Sequence, residues 1–211
     1  MRIKRGTVSI ILGLLMIASA IGLAMYNIQE SRHAEAVAQE TVEHIREVRP
    51  EPEVTFTPEI LLNVTEETVI PDYILNPQIE MPLVHYNGWD YIATITIPAL
   101  GLEIPVISEW SYPALRVAPC RYTGSAYLDN LVIAAHNYQS HFGRLDELQE
   151  GEQVLLTDSD GNVFTYQVAY REVLMPTAIE EMTQGDWDLT LFTCTVGGKS
   201  RVTVRCEKLE G

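Results

Sequence analysis

Three residue types that could do chemistry together lie far apart in this chain. Cys194 ends a β-rich run at 189–193, His136 ends an apolar run at 131–135, and Arg201 opens a third run. A thiolate attacks carbonyl carbons well, but free cysteine has a pKa near ~8.5 and needs local activation. An imidazole can take the thiol proton and pass it to a leaving amine, and a guanidinium can stabilise the oxygen of a tetrahedral intermediate. The three types together indicate nucleophilic attack on a carbonyl.

The cysteine count leaves a simpler interpretation open. The chain has three cysteines, Cys120, Cys194 and Cys206. Free cysteine is among the most buried residue types, so all three could be inert core thiols. If two of them pair outside the cell, one thiol is left over. A Cys120–Cys206 disulfide is compatible with this count, but the sequence does not support it, and both residues are most simply small apolar fillers.

Short β-rich runs at close spacing would have to position the three residues. Seven runs are rich in β-branched, aromatic and other apolar residues and are separated by turn residues: 91–97, 102–107, 131–135, 153–157, 163–168, 189–193 and 201–205. Asp160-Gly161 is a strong hairpin signal between two of them. Such spacing predicts a mainly β protein with a closed or nearly closed barrel, and two short helices fit near 112–116 and 143–149.

The N-terminal segment predicts a membrane anchor. Residues 7–26 are 20 residues without a charge, enough for a helix at roughly 1.5 Å per residue to span the ~30 Å hydrocarbon core. Arg2, Lys4 and Arg5 precede it and hold the N-terminus in the cytoplasm by the positive-inside rule. Everything after residue 26 is then extracellular. A cleavable signal peptide is the alternative, since Ala18-Ser19-Ala20 resembles a cleavage site.

A stalk separates the anchor from the β-rich part. Residues 28–49 are rich in helix formers but lack a wide apolar stripe, so we expect a solvated or loosely docked helix. Residues 50–84 are rich in proline and acidic residues, as linkers are. Its apolar exceptions, 60–62 and 73–75, either pack as a strap or simply tether, and we favour the linker interpretation.

The predicted organisation therefore has three parts. These are 1–27 as cytoplasmic tip and transmembrane anchor, 28–84 as helical and Pro/acidic stalk, and 85–211 as the catalytic domain. The formal net charge of −15, from 29 acidic and 14 basic residues, argues against nucleic acid as a partner, because phosphate binding requires clustered Lys and Arg.

The sequence around the three residues resembles the sortase family. Residues 190–194, Thr-Leu-x-Thr-Cys, followed by a strand bearing Arg201, resemble the signature written TLxTC. The run LVIAAHNYQSHFGRL at 131–145 resembles the second signature, a strand ending in His. Residues 97–106 look like the opening strands of the family. The resemblance covers residues 90–209 in the family's order.

This resemblance implies an eight-stranded barrel and a cell-surface cysteine transpeptidase. Such an enzyme cleaves an LPXTG-like sorting signal near the C-terminus of a secreted protein through a thioester. An amine of a cell-wall peptide or a pilin then resolves the thioester. Carried over, Cys194 is the nucleophile, His136 the general acid/base, and Arg201 the residue that stabilises the oxyanion or positions the signal. Thr193, Ala134 and Leu115 would line the substrate site.

Two departures from the family pattern affect these assignments. Ala135 stands where the family often has Gly before the histidine, a small change. Only seven positions separate Cys194 from Arg201, which leaves Arg205 as an alternative arginine. The two arginines lie on one face of a strand because their positions differ by an even number. The short segment between 173 and 189 argues against the class with a large helical insertion there, class B.

Other interpretations stay open at this point. The chain could be an extracellular thiol peptidase with water as acceptor, or an inactive anchored barrel that binds partners or assists pilus assembly. His141 is more simply a loop or structural histidine. We expect no metal or other cofactor. Calcium could in principle use acidic side chains, but no ligand spacing is visible among Glu103, Glu109, Glu180 and Glu181.

Overall fold

The protein folds into a β-barrel with a long N-terminal helix, in a computed structural model that describes residues 5–49 and 70–209. The strands are β1 Val84–Tyr86, β2 Trp89–Ile97, β3 Leu102–Ile107, β4 Cys120–Thr123, β5 Leu131–Ala135, β6 Gln153–Asp158, β7 Val163–Leu174, β8 Leu189–Cys194 and β9 Arg201–Lys208. The α-helices are α1 Arg5–Val48, α2 Asp72–Leu75, α3 Tyr112–Leu115 and α4 Ile179–Thr183, and 3-10 turns occupy Pro98–Leu100, Ala126–Leu128 and Leu145–Glu147.

The predicted eight-stranded barrel is confirmed. The strand order is β2-β3-β4-β5-β8-β9-β7-β6, and β6 pairs back onto β2 to close the ring, while β1 forms a hairpin with the start of β2. Most neighbours are antiparallel, but β3–β4 and β5–β8 are parallel. The parallel β5–β8 pair matters for function, because the carboxyl ends of both strands meet at the same rim of the barrel.

The barrel interior is an apolar core. Alternate residues of each strand point inward, so Ile95, Ile133, Leu191 and Val204 are fully buried against one another. Burying each such side chain stabilises the fold by about 1.5–3 kcal/mol relative to leaving it in water. The strand residues between these inward-facing ones point to the outer wall of the barrel, where their side chains can contact a substrate.

Two strands and one helix differ from the sequence-based expectation. β1 and β4 were not predicted, because three and four residues are too few to establish a period of two. The helix expected near 143–149 is only a 3-10 turn at Leu145–Glu147. The helix expected at 112–116 is present as α3, which begins after Ser111, whose hydroxyl accepts from the Ala114 N–H at 3.1 Å.

Helix α1 continues from the apolar segment directly onto the barrel. Its N-terminal part includes the one described stretch that is long and apolar enough to cross a membrane, and none of that stretch is buried. Further along, one face is buried against β1 and β3 through side chains three or four residues apart, namely Ala34, Ala38, Thr41, Val42 and Ile45. The expected solvated or loosely docked helix is therefore a packed one. The small Ala residues allow close approach, and Ile45 joins a buried cluster with Val84 and Tyr91.

The residues just before β1 pack on the barrel as well. Tyr73 of α2 stacks on Tyr127 with ring centroids 4.6 Å apart and meets Phe164 at 5.3 Å. Met81 is buried in the main core. Residues 70–83 are thus a strap across the barrel, not a free tether. The apolar residues 60–62 lie outside the described residues, and the boundaries at 27 and 84 stay predictions.

Candidate active site

The ends of three neighbouring strands bring Cys194, His136 and Arg201 together. In the parallel pair β5–β8, Ala135 lies opposite Thr193, so the next residues of each strand, His136 and Cys194, leave the sheet side by side. In the antiparallel hairpin β8–β9, Cys194 lies directly opposite Arg201. His136 and Cys194, which are 58 positions apart in the chain, therefore share one corner of the rim.

His136, Cys194 and Arg201 all belong to the alternating series of residues that faces outward from the barrel. Val132 and Ala134 of β5 pack with Phe192 of β8 in a cluster outside the barrel, separate from the interior core. Since side chains of a strand alternate between faces, residues 136 and 194 continue the outward series. Residue 201 belongs to the outward series of β9 with Thr203 and Arg205. The thiol, imidazole and guanidinium can thus meet the same substrate.

Cys194 is the one cysteine of the chain with an accessible thiol. All three cysteines are free and lie within the described part of the chain. Cys120 and Cys206 are fully buried, and burial raises the pKa of each thiol to about 12. These two remain protonated at neutral pH and out of contact with substrate. Half-buried Cys194, at the barrel rim, is the thiol available for chemistry.

The half-buried His136 favours its neutral form. Desolvation lowers the pKa of this imidazole below its usual value, and the positive charge of Arg116 lowers it further, while Glu30 acts in the opposite direction. A neutral imidazole is the form that can accept a proton from a thiol or an amine. The ring of Tyr138 lies beside it, with centroids 5.1 Å apart.

The two candidate arginines have different surroundings. Arg201 is half-exposed, and its Nη1 donates only to main-chain oxygens next to it, those of Ser200 at 3.1 Å and Gly198 at 3.3 Å. A guanidinium so held at the rim can reorient toward a substrate oxygen. It therefore keeps donors available at the position opposite Cys194.

Arg205 is 2% exposed and fully engaged in structure. Its side chain donates to Glu172 at 3.0 Å, to the Thr190 hydroxyl at 3.0 Å, to the Met182 carbonyl at 3.0 Å, and to the Glu181 carbonyl. These bonds fasten α4 onto the outer wall of the barrel. The geometry therefore favours Arg201 over Arg205 as the arginine of the site.

A tight turn explains the short spacing between Cys194 and Arg201. The Thr195 N–H donates to the Ser200 carbonyl at 3.0 Å, and the Thr195 and Ser200 hydroxyls are 3.0 Å apart. Gly197 and Gly198 adopt φ values of 84° and 71° inside this turn, a region that favours glycine. The two glycines allow the chain to reverse in so few residues.

The three residues expected to line the substrate site divide into two groups. Ala134 and Leu115 both belong to the apolar cluster on the outer wall. Thr193 does not face it: its hydroxyl is buried and donates to the Ala135 carbonyl at 2.9 Å, which ties the ends of β5 and β8 together. The expectation for Thr193 is corrected for a simple reason, since the residue before an outward-facing cysteine must point inward.

Three further residues of this outer cluster were missed from the sequence. Met182 of α4 is buried in it, and Tyr122 of β4 and Leu174 of β7 pack at its edges. Tyr122 meets the ring of Phe192 edge-on at 5.4 Å. No local pattern marks these residues, because they reach the cluster from three separate elements.

His141 is a buried histidine in the loop that follows His136. It is 0% exposed, and among the described residues neither ring nitrogen has a partner in regular hydrogen-bond geometry. Burial lowers the pKa of this imidazole to about 4, and the nearby His136 contributes in the same direction. Its ring lies 5.4 Å from that of Tyr138. His141 thus packs as a neutral ring behind the candidate site.

We expect acid to destabilise the fold through His141. The unfolded state takes up a proton near pH 6.5 but the folded state only near pH 4. Stability is therefore lost as the pH falls between these values, by about 3 kcal/mol in full. The melting temperature of the detergent-solubilised chain should fall less from pH 7 to pH 5 in His141→Gln than in wild type. The control is His33→Gln, an exposed position; equal pH slopes in all three proteins would contradict the expectation.

No metal cluster is evident in the part of the chain that the structure describes. There, no group of three or more His, Cys, Asp and Glu side chains is arranged to hold an ion. Glu103, one of the acidic residues considered for calcium, is paired with Arg46 of α1. The expectation that the protein works without a cofactor stays a prediction.

Comparison with known proteins assigns the class. A family model described as Sortase domain matches residues 95–209, which is more than half of the chain. With the closed barrel, this match supports a transpeptidase of the barrel type. The chain belongs to the sortase family. A comparison with curated proteins gives no match.

Solved structures agree at the level of the fold. A Clostridium perfringens sortase D5 transpeptidase matches with a TM-score of 0.57 and 21% identity, over 83% of this chain and 99% of that one. Sortase A from Corynebacterium diphtheriae, a lid mutant, gives 0.51 and 20% over 65% and 76%. Sortase C1 of Streptococcus agalactiae, in complex with MTSET, gives 0.50 and 22% over 57% and 70%. At such identities the likeness supports the barrel alone.

Proposed function

We propose that this protein is a membrane-anchored sortase that cleaves an LPXTG-like sorting signal and transfers the released acyl group to an amine. The observation that carries the proposal is the strand register, which puts Ala135 opposite Thr193 and Cys194 opposite Arg201. In this arrangement a nucleophile, a proton carrier and a hydrogen-bond donor share one outward-facing corner.

The first half-reaction forms a thioester. His136 takes the proton of the Cys194 thiol, the resulting thiolate attacks the carbonyl carbon of the residue before the scissile bond, and the carbonyl oxygen becomes an oxyanion. Arg201 donates hydrogen bonds to that oxyanion or to the substrate backbone. The C–N bond then breaks, and His136 gives a proton to the departing amine. The thiol is left acylated, and the C-terminal part of the signal leaves.

The second half-reaction is the reverse with a new amine. The amine nitrogen attacks the thioester carbonyl, His136 accepts a proton from it, and the C–S bond breaks. An amide forms, and His136 returns the proton to the leaving sulfur, which restores the Cys194 thiol and the neutral imidazole. A cell-wall peptide or a pilin lysine would supply this amine. Water in place of the amine would give hydrolysis.

The outer wall of the barrel is the proposed binding surface for the sorting signal. The apolar cluster that includes Ala134, Leu115 and Phe192 lies on the same face as Cys194 and can receive the apolar side chains of such a peptide. α4, fastened by Arg205, borders it. The β7–β8 connection holds only the five residues of α4 as helix, which supports a class other than B.

The proposed location is the cell membrane, with the catalytic domain outside. The apolar part of α1 is suited by length and composition to span the bilayer once. The three basic residues before it, at positions 2, 4 and 5, favour a cytoplasmic N-terminus. Secreted proteins that carry a sorting signal would then meet the enzyme at the outer surface.

Product analysis tests the transpeptidase assignment against the peptidase alternative. Incubate the detergent-solubilised full chain with a sorting-signal peptide, with and without a glycine-based amine, and analyse the products by mass spectrometry. We expect a covalent peptide–enzyme adduct and an amide product whose yield rises with amine concentration. Hydrolysis that does not respond to amine would assign a peptidase instead. The absence of both adduct and product across a peptide library would favour an inactive binding barrel.

A further inference from the structure

Helix α1 touches the loop that carries His136. This loop, residues 136–143, is called the histidine loop below. The Ser140 hydroxyl donates to the Ser31 carbonyl of α1 at 3.1 Å, and the two serine hydroxyls are 3.4 Å apart. The Tyr138 hydroxyl donates to Glu30 Oε1 at 3.5 Å, a long hydrogen bond. The contacts lie one turn beyond the apolar segment that ends at residue 26.

We propose that the anchor helix is part of the catalytic centre, with Glu30 as a positioning residue that acts on His136 through Tyr138. The inference rests on the proposed role of His136 as proton carrier. The chain of contact is short: Glu30 holds the Tyr138 hydroxyl, and the Tyr138 ring packs on the imidazole with centroids 5.1 Å apart. Ser140 fixes the same loop to the backbone of α1.

The histidine loop needs such support at its exposed end. Its far end is held by the fully buried Phe142, and the Gly143 N–H donates to the Tyr138 carbonyl at 2.8 Å. Asn137 and Gln139, by contrast, are exposed. The Tyr138 ring lies beside the rings of both His136 and His141, with centroids 5.1 and 5.4 Å apart. Its hydroxyl points to α1, so a shift of the helix is passed directly to the imidazole.

Helix α1 is rigid enough to act as this support. It runs without interruption from Arg5 to Val48, and Ala34, Ala38 and Ile45 bury its next turns against the barrel. Glu30 therefore has a fixed place relative to the strands that carry the site.

The pKa of His136 depends on the charges around it, so it can be measured to distinguish the proposed role of Glu30 from a purely structural one. Glu30 faces His136 from α1, and Arg116 faces it from the segment after α3. His141 and Tyr138 belong to its own loop, and Cys194 leaves the end of the neighbouring strand beside it. The Glu30 carboxylate raises the pKa of His136, and its removal should lower that pKa.

The experiment compares four variants of the full chain in detergent micelles. Glu30→Ala removes both the carboxylate and the acceptor, Glu30→Gln keeps an acceptor oxygen without the charge, and Tyr138→Phe removes the hydroxyl. Glu43→Gln, at an exposed position of the same helix, is the matched control. The rate of acyl-enzyme formation and the KM for the peptide are measured for each. The titration of labelled His136 is followed by NMR, with the signal assigned by its loss in His136→Gln.

We expect Glu30→Ala and Tyr138→Phe to slow acyl-enzyme formation about ten-fold with little change in KM, because a small displacement of a catalytic group is costly. Glu30→Gln should keep most of the rate. Both Glu30 variants should move the His136 titration to lower pH, and Glu43→Gln should change neither quantity. Rates and titrations of Glu30→Ala and Tyr138→Phe that match Glu43→Gln would overturn the proposal.

The design separates this proposal from the proposed function. If the wild-type chain forms no acyl-enzyme, the transpeptidase assignment fails. The NMR titration still reports whether Glu30 acts on His136. If the wild type is active but all variants behave alike, only the role of the anchor helix fails.

Discussion

Replacing Cys194 with alanine is expected to abolish acyl-enzyme formation and to lower peptide cleavage by about 10⁴-fold or more, the scale seen when a covalent nucleophile is removed. The physical reason is that no other thiol can substitute. Cys120 and Cys206 are fully buried and have thiol pKa values raised to about 12. The measurement is single-turnover adduct formation with a sorting-signal peptide, followed by intact-mass spectrometry.

The matched control is Cys206→Ala, which removes a thiol from the barrel interior. Its adduct yield should equal that of wild type, although its stability falls with the lost packing. A charged thiol reagent at neutral pH should label the wild type and Cys206→Ala once per chain, and Cys194→Ala not at all. Wild-type cleavage by Cys194→Ala would refute the assigned nucleophile.

The second large effect separates Arg201 from Arg205. Arg201→Ala should lower kcat/KM about 10²–10³-fold, the usual loss for one oxyanion donor, with an unchanged melting temperature. Arg201→Lys should recover little, because an ammonium does not reproduce the planar guanidinium fork. Among the described residues, the Arg201 side chain donates its hydrogen bonds to main-chain oxygens of its own turn, so we expect its removal to leave the packing intact.

Arg205→Ala should have the opposite profile. It leaves Glu172 and the carbonyls of Glu181 and Met182 without their donor, at a cost of about 3–5 kcal/mol of folding free energy. Denaturation midpoints and kcat/KM of both variants, measured side by side, make the test. A stable but inactive Arg205→Ala together with an active Arg201→Ala would transfer the catalytic role to Arg205.

The barrel could be predicted because most of its strands are β-rich runs separated by turn residues. β2, β6 and β8 each combine β-branched or aromatic residues with bounding turns. β4 could not be found this way. Its sequence Cys-Arg-Tyr-Thr is short and partly polar, and it is a strand only because Cys120 and Arg121 find partners on β5.

The docking of α1 was not predictable from local pattern. Its buried face uses Ala34, Ala38 and Thr41 beside Val42 and Ile45, and alanine and threonine carry little hydropathy signal on a helix. What makes the face bury is the shape of β1 and β3, elements about 40 residues or more further along the chain. The proposed site shows the same division: Cys194, His136 and Arg201 were predicted from motifs, whereas Met182 and the proposed positioning residue Glu30 belong to distant segments.

The inward orientation of Thr193, by contrast, was available from the sequence. Once Cys194 is assigned to the outer wall, alternation alone sends Thr193 to the interior. Its hydrogen bond to the Ala135 carbonyl then gives the threonine of this motif a structural role, because it holds the ends of β5 and β8 in register.

The unbroken α1 also fixes how far the enzyme can reach. From residue 26, where the apolar segment ends, to Glu30 is four residues, or about 6 Å along a helix axis. In the proposed orientation the catalytic corner therefore lies at the level of the lipid headgroups, because one continuous helix connects it to the membrane-spanning segment. Substrates have to bring the scissile bond down to the bilayer surface, and an acceptor amine has to be available at the same height.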